Sequence, residues 1–282
     1  MTNLLGKVAV ITGAARGIGR ASCVGLARAG ANIVGIDICA PVNDSFGVKP
    51  ATVEDLKQTQ DLVQETGRQC FTVILDQRDL PALRNAALEV EQKFGGIDIV
   101  FANAGVQGFV PLLEMDDAYW HTHIDVNLTG TANTLRAFAP FLVKRGGGRI
   151  LVTSSTQGRH GTKNGSAYSA SKWGIIGLMK SAALELGKYG ITVNAIIPGL
   201  VNTPLTRHEQ RYAQVLQEAG LPPTGSDENE ARQLLMNKTP LGVPWLEPED
   251  VAKVVVFLAS DAARMVSGST YGVTAGDSSH NA

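Results

Sequence analysis

The 282-residue sequence predicts one α/β domain over 1–282, in which a doubly wound parallel sheet of about seven strands carries helices on both faces. Short apolar runs alternate with longer helical patterns from one end of the chain to the other. Most of these runs are continuously apolar, which is typical of strands buried on both faces of a parallel sheet. Apolar residues make up 44% of the chain and charged residues 18%, so a sizeable core is available and bulk disorder is excluded.

The predicted elements alternate along the chain. Strands are predicted at 7–12, 31–37, 70–75, 98–102, 149–153, 191–196 and 270–273. Helices are predicted at 17–29, 52–66, 79–94, 116–143, 166–188 and 248–260. Two stretches interrupt the alternation, a long connection over 38–51 and an excursion over 198–247. The excursion has a helical middle around 208–219, which suggests a partly ordered lid over a substrate.

Charge and composition argue against several classes of partner. The 25 Lys and Arg residues balance 26 Asp and Glu, which disfavours a broad nucleic-acid surface or a polybasic membrane anchor. No apolar run approaches the roughly 18 residues that a membrane span requires. Cys23, Cys39 and Cys70 form no CxxC and cannot all pair, which favours reduced thiols and a cytoplasmic location. With neither HExxH nor paired cysteines, no metal site is predicted.

A glycine-rich turn joins the first predicted strand to the first helix. It reads Thr12-Gly13-Ala14-Ala15-Arg16-Gly17-Ile18-Gly19. A tight turn requires residues without a Cβ atom, and the backbone must approach a pyrophosphate closely. The helix N-terminus then offers free N–H groups and the positive end of its dipole. Glycine spacing alone is weak evidence, but its place between strand and helix predicts a Rossmann dinucleotide site that includes Gly13, Arg16, Gly17, Ile18 and Gly19.

The end of the second strand predicts which dinucleotide binds. Asp37 can accept hydrogen bonds from both adenosine ribose hydroxyls, and its charge repels a 2′-phosphate. Arg16 favours the opposite choice, because a guanidinium beside the ribose could hold the phosphate of NADP. We give Asp37 more weight, since its charge would lie at close range to that phosphate. NAD is therefore the predicted cofactor and NADP the less favoured one.

Two further strand ends carry candidate cofactor contacts. Asp76-Gln77 follows the third strand, where a carboxylate can accept from the adenine amino group. Asn103-Ala104-Gly105 follows the fourth strand, where a turn of small residues lets the cofactor pass. Ligands bind at the carboxyl ends of strands in open α/β sheets, although each segment alone could be an ordinary turn.

The candidate reacting groups stand around the fifth strand and the helix that follows it. Tyr168 and Lys172 are one helical turn apart and share a face. A nearby ammonium favours the phenolate, so we expect it to lower a tyrosine pKa that is otherwise about 10. Ser155 ends the strand, and its hydroxyl can hydrogen-bond a substrate oxygen as charge develops. Ser154 is the alternative, but its side chain should point to the opposite side of the strand.

In their joint order, these motifs resemble the short-chain dehydrogenase/reductase family over nearly the whole chain. The resemblance is carried by Thr12-Gly13, Gly17-Ile18-Gly19, Asn103-Ala104-Gly105, Asn127, Ser155, Tyr168 with Lys172, and Pro198-Gly199 with Thr203. The chain departs from the family's pattern where Ala102 replaces a common Asn, and where Val273-Thr274-Ala275-Gly276 replaces a common Val-Asp-Gly-Gly.

The resemblance implies a role for each matching residue. Tyr168 would be the general acid/base, and Ser155 would orient the carbonyl or hydroxyl. Lys172 would hold the nicotinamide ribose and depress the pKa of the tyrosine. Asn127 would support a water-linked proton relay. Val201 with Thr203 would contact the carboxamide.

An NAD(H)-dependent oxidoreductase acting on a secondary alcohol or ketone is the favoured interpretation. One alternative is an NADPH-dependent carbonyl or 3-oxoacyl reductase, which only Arg16 favours. Another is a non-catalytic dinucleotide-sensing protein, which the presence of Tyr168 and Lys172 disfavours. We expect Gln157 to contact the substrate together with Ser155 and Tyr168. The resemblance also implies a homotetramer that packs through helices 116–143 and 166–188.

The insertion over 38–51 follows Asp37, so we expect it beside the adenosine half of the cofactor. It is either a tolerated surface loop or a lid over the adenine that slows its release. The lid residues would be Pro41, Phe46, Val48 and Pro50. A similar insertion is seen in dehydrogenases associated with the mycofactocin redox system, and this likeness implies a retained nicotinamide. Thr52 with Asp55 predicts a capping box that anchors the far end of the loop.

Overall fold

Seven short strands pair side by side, all parallel, in the order β3-β2-β1-β4-β5-β6-β7. They are β1 (Val8–Thr12), β2 (Asn32–Asp37), β3 (Cys70–Ile74), β4 (Ile99–Ala102), β5 (Gly148–Thr153), β6 (Ile191–Pro198) and β7 (Thr270–Val273). The computed structural model describes residues 3–43, 46–222 and 228–280. The strand order reverses between β1 and β4, so a crevice opens there at the carboxyl ends of the strands. The predicted strands and the fold class are confirmed.

Helices cover both faces of this sheet. They are α1 (Gly17–Arg28), α2 (Val53–Gln64), α3 (Leu80–Phe94), α4 (Asp117–His123), α5 (Gly130–Arg145), α6 (Ser166–Leu186), α7 (Glu209–Glu218), α8 (Glu228–Lys238) and α9 (Pro248–Ala259). The single helix predicted over 116–143 is wrong in one respect, because a π-helical turn at Ile124–Thr129 separates α4 from α5. Helix α8 was not predicted. Residues 223–227 of the excursion lie outside the described residues.

Two apolar layers hold the helices to the sheet. On one face, Leu26 of α1 and Val255 of α9 are fully buried against Ile11 and Phe101. On the other, α3, α5 and α6 bury side chains against the sheet, including Leu83, Phe138 and Ile175. Burial of side chains of this size contributes about 1.5–3 kcal/mol each to the stability of the fold, so the helices pack firmly on the sheet.

A separate small cluster holds the excursion together. Tyr212 and Val215 of α7 pack on Ala231 and Leu235 of α8, with Trp245 beside them. Trp245 thus contributes to the packing of the excursion.

The predicted capping box is present at the N-terminus of α2. Thr52 Oγ1 accepts the N–H of Asp55 at 3.1 Å, and the Asp55 carboxylate accepts the N–H of Thr52 at 2.9 Å. Among the described residues, no helix combines the length and hydropathy that a bilayer span needs.

Candidate active site

The glycine turn after β1 closes tightly against the turn after β4. Gly13 adopts φ +70°, and a Cβ atom there would lie 2.9 Å from Cα of Ala104. A Cβ atom on Gly19 would lie 1.9 Å from the carbonyl oxygen of Gly13. Arg16 precedes α1 without a side-chain cap, and among the described residues no side chain accepts the N–H groups of the first helical turn. The turn therefore offers a backbone cradle with the dipole end of a helix, which fits a pyrophosphate.

Asp37 and Arg16 lie at the adenosine end of this cradle. The Asp37 carboxylate accepts the N–H groups of Ala15 at 3.0 Å and Cys39 at 3.1 Å, which fixes it beside the glycine turn. The guanidinium of Arg16 donates to the carbonyl of Lys49 at 2.6 Å, and burial lowers its pKa. One guanidinium nitrogen of Arg16 is thus engaged by the insertion, and both Asp37 and Arg16 line the cleft.

The other predicted cofactor contacts also border the cleft, but several of their side chains are hydrogen-bonded or ion-paired within the protein. The amide of Gln77 donates to the carbonyls of Ala104 at 3.1 Å and Val126 at 2.8 Å, so its donors are used within the fold. Asp76 forms an ion pair with Arg78. Residues that line the cleft include Ile18, Asn103, Gly105, Gln107, Gln157, His160, Val201 and Thr203.

Asn103 ties three strand ends together. Thr12 Oγ1 accepts the N–H groups of Asn103 at 3.0 Å and Ala104 at 3.1 Å. The side-chain oxygen of Asn103 accepts the Thr153 hydroxyl at 3.0 Å. This brace fixes the turn of small residues along which the cofactor is expected to pass.

The π-helical turn carries Asn127, which is fully buried. Its amide nitrogen donates to the carbonyl of Val106 and to the Ser171 hydroxyl, both at 3.0 Å, and its oxygen accepts the Val106 N–H at 2.8 Å. Such turns are rare and occur frequently at functional sites. The side chain joins the β4 loop, the π turn and α6, which makes it a positioning group. The predicted water-linked relay stays an expectation.

Ser155, Tyr168 and Lys172 meet on the far side of the cleft. The Ser155 hydroxyl lies near that of Tyr168, where it favours the phenolate. Lys172 Nζ donates to the carbonyl of Thr153 at 3.0 Å and lies 5.5 Å from the centre of the Tyr168 ring. Ser154 donates instead to the Lys172 carbonyl at 2.9 Å, so it is Ser155 that faces the tyrosine.

The expected depression of the tyrosine pKa is absent from this structure. Burial raises the pKa of Tyr168 to about 12, against the opposing effects of the Ser155 hydrogen bond and the Arg211 charge. Burial also lowers the pKa of Lys172 to about 8. The reason is that both groups are enclosed by protein, so the cost of desolvating a charge dominates at each of them. The phenol is therefore protonated at neutral pH in this structure.

Sequence reasoning missed an aromatic cluster beside the tyrosine. The His123 ring is buried with its centre 6.3 Å from that of Tyr168, and its Nε2 accepts the Gly108 N–H at 3.1 Å. Phe46 of the insertion packs on it and on Tyr119, with ring centres 4.8 and 5.1 Å apart. The Tyr119–His123 spacing on one helix face is the signal that could have found this pair.

Phe46 therefore lies elsewhere than expected. We predicted it over the adenine, but its ring is fixed among side chains that adjoin the reacting tyrosine. The cause is its packing on α4, where Tyr119 and His123 hold the ring. Val48 and Pro50 line the cleft, and Pro41 is exposed. Residues 44 and 45 lie outside the described residues.

Comparisons with known proteins are consistent with this geometry. The family described as short chain dehydrogenase matches residues 7–213. An uncharacterised NAD-dependent oxidoreductase of Mycobacterium tuberculosis is 41% identical over 279 residues, 97% of this chain and 96% of that protein. A (-)-trans-carveol dehydrogenase of Rhodococcus erythropolis is 38% identical, covering 98% of this chain and 99% of its own length. Carveol dehydrogenase from Mycobacterium avium, solved in complex with NAD, superposes with a TM-score of 0.92 at 38% identity, over 98% of this chain and 99% of that one.

Proposed function

The chain belongs to the short-chain dehydrogenase/reductase family, and from this we propose that it is an NAD-dependent oxidoreductase that moves a hydride between NAD(H) and a secondary alcohol or ketone. The observation that carries the proposal is the meeting of Ser155, Tyr168 and Lys172 opposite a backbone cradle that fits a pyrophosphate. NAD as the cofactor is supported by the similar NAD-dependent oxidoreductase of Mycobacterium tuberculosis and by the similar carveol dehydrogenase solved in complex with NAD.

The residues divide between holding the cofactor and handling the proton. The glycine turn would hold the pyrophosphate, Asp37 the adenosine ribose, Lys172 the nicotinamide ribose, and Val201 with Thr203 the carboxamide. When bound, NAD supplies the acceptor for the hydride. Asp76, Gln77 and the Asn103-Ala104-Gly105 turn would border its adenine and its path across the sheet.

Proton transfer at Tyr168 completes the reaction. As the alcohol carbon loses its hydride, the hydroxyl proton passes to the phenolate oxygen of Tyr168, and the C–O bond becomes a carbonyl. In the reverse direction the phenol gives that proton to the new alkoxide. Ser155 donates a hydrogen bond to the substrate oxygen as its charge changes, and Gln157 borders the same space.

Cofactor choice tests this proposal directly. With Asp37 at the ribose and Arg16 engaged by Lys49, turnover of a panel of secondary alcohols should favour NAD⁺ over NADP⁺ by at least about tenfold in kcat/KM, roughly 1.4 kcal/mol. Asp37→Ala should shrink that preference. Asp61→Ala, which removes an exposed carboxylate from α2, should leave it unchanged.

Equal efficiency with both cofactors in the parent enzyme would contradict the assignment of Asp37. A preference for NADP⁺ over NAD⁺ would favour the NADPH-dependent carbonyl or 3-oxoacyl reductase. Binding of NAD⁺ with no turnover of any alcohol or ketone would instead favour the dinucleotide-sensing protein.

The working unit is proposed to be a homotetramer of single-domain chains in the cytoplasm, with the excursion over 198–247 as substrate lid. Trp120 on α4, and Trp173 with Leu184 on α6, expose large apolar surfaces on the helices expected to pack between subunits. The three free thiols support the location. Light scattering at micromolar concentration should give the mass of four chains. A stable monomer would count decisively against the assembly.

A further inference from the structure

A buried arginine lies where the proposed chemistry does not require one. Arg211 of α7 is 6% exposed and lines the cleft that also holds Ser155 and Tyr168. Its guanidinium carbon lies 4.9 Å from the centre of the Phe109 ring, which supports it from one side. Helix α7 belongs to the excursion, so the lid itself brings this charge to the reacting side of the cleft.

The hydrogen-bonding capacity of Arg211 is mostly unused. Nη1 donates to the side-chain oxygen of Gln214. Nε is buried and has no hydrogen-bond partner in the described part of the chain. The amide nitrogen of Gln214 donates to the Glu218 carboxylate at 3.0 Å, and Glu218 is exposed to water.

The charge of Arg211 is only partly compensated, because Glu218 attracts it from beyond ion-pair distance. The described residues place no carboxylate within ion-pair distance of it, although other arginines in the chain are paired, such as Arg207 with Glu228. A buried charge is costly unless it is paired and hydrogen-bonded. A planar guanidinium with free donors is suited to donating two parallel hydrogen bonds to a carboxylate. The unused donors of Arg211 can therefore accommodate an anion from outside the chain.

Resting on the proposed function, we propose that the substrate is a hydroxy acid or oxo acid with an apolar body, and that Arg211 binds its carboxylate. The reacting oxygen would lie at Ser155 and Tyr168, and the carboxylate would point toward the lid. Leu205 and Val201 line the cleft and offer apolar surface for the body between them. The Arg211 charge then serves specificity, because a neutral alcohol of equal size leaves the guanidinium unpaired.

A matched pair of alcohols tests the proposal with NAD⁺ as cofactor. The parent enzyme should oxidise 4-hydroxycyclohexanecarboxylate with a kcat/KM at least about tenfold above that for 4-methylcyclohexanol. Arg211→Gln should reduce that ratio by about tenfold or more. Arg211→Lys, which keeps the charge without the planar fork, should retain part of it. Arg232→Gln removes a charge from the exposed side of α8 and should leave the ratio unchanged.

A binding measurement separates this proposal from the proposed function. Calorimetry of the enzyme with NADH should show cyclohexanecarboxylate binding at least about tenfold tighter than cyclohexanemethanol, and Arg211→Gln should abolish the difference. Equal binding of the two probes, or equal losses on both alcohols in Arg211→Gln, would overturn the carboxylate site. Failure of every alcohol to be oxidised, with carboxylate binding intact, would refute the proposed function alone.

Discussion

Replacement of Tyr168 by phenylalanine is expected to lower kcat for oxidation of a secondary alcohol by about 10²-fold or more. The variant keeps the buried ring beside His123 and removes only the phenolic oxygen. NADH formation followed by absorbance gives the rate, and a fluorescence titration gives the affinity for NADH. Nucleotide affinity should survive, because the backbone cradle at Gly13 lies at another part of the cleft.

The pH profile gives this prediction a second readout. Oxidation requires the deprotonated phenol, and burial raises the pKa of Tyr168 to about 12. For the parent enzyme, kcat/KM for oxidation should therefore rise with pH through the neutral range, whereas ketone reduction, which uses the protonated form, should not. The residual activity of Tyr168→Phe should lose this slope. Tyr189→Phe, an exposed tyrosine, is the matched control. A near-parental kcat in the Tyr168→Phe enzyme would remove the tyrosine from the mechanism.

Shortening residues 41–49 to a tight turn is expected to speed release of NAD(H) by about tenfold or more. The contacts that hold the insertion include Phe46 among Tyr119 and His123, and the Arg16 hydrogen bond to Lys49. Loss of a buried phenyl ring costs about 3–5 kcal/mol, so Phe46→Ala should loosen the insertion as well. Stopped-flow displacement of bound NADH measures the release rate.

The parent protein should accordingly keep its dinucleotide through purification. Pro41→Ala changes an exposed residue of the same insertion and should release NADH at the parental rate. If the protein purifies free of nucleotide and turns over freely with added NAD⁺, the insertion is no lid. The likeness to dehydrogenases that retain their nicotinamide would then extend to the loop sequence but not to retention of the cofactor.

The sheet was predictable because its strands are buried on both faces and therefore read as unbroken apolar runs. The groups around the cleft could be predicted from short local motifs, such as the turn at Gly13 and the helical pair of Tyr168 with Lys172. Properties that depend on long-range contacts were harder to predict from the sequence. Whether a tyrosine pKa rises or falls depends on how completely the fold encloses it, which local spacing cannot reveal.

Two other features depended on tertiary contacts. The course of the insertion placed Phe46 on His123, a contact between residues from separate segments. Arg211 looks in the sequence like one more charge on an amphipathic helix. Only the packing of α7 shows that it faces the cleft and is buried. The Asp37 carboxylate, by contrast, was predicted from its place at a strand end alone.

The π-helical turn at Ile124–Thr129 implies that this part of the chain is constrained in length as well as in residue type. Such a turn holds one residue more than regular α-helical pitch allows. Deleting one residue here would convert the turn to regular α-helix and change the direction in which its own side chains point. Asn127 would then leave the loop it braces. During evolution, single-residue gaps should be rejected here even where substitutions are accepted.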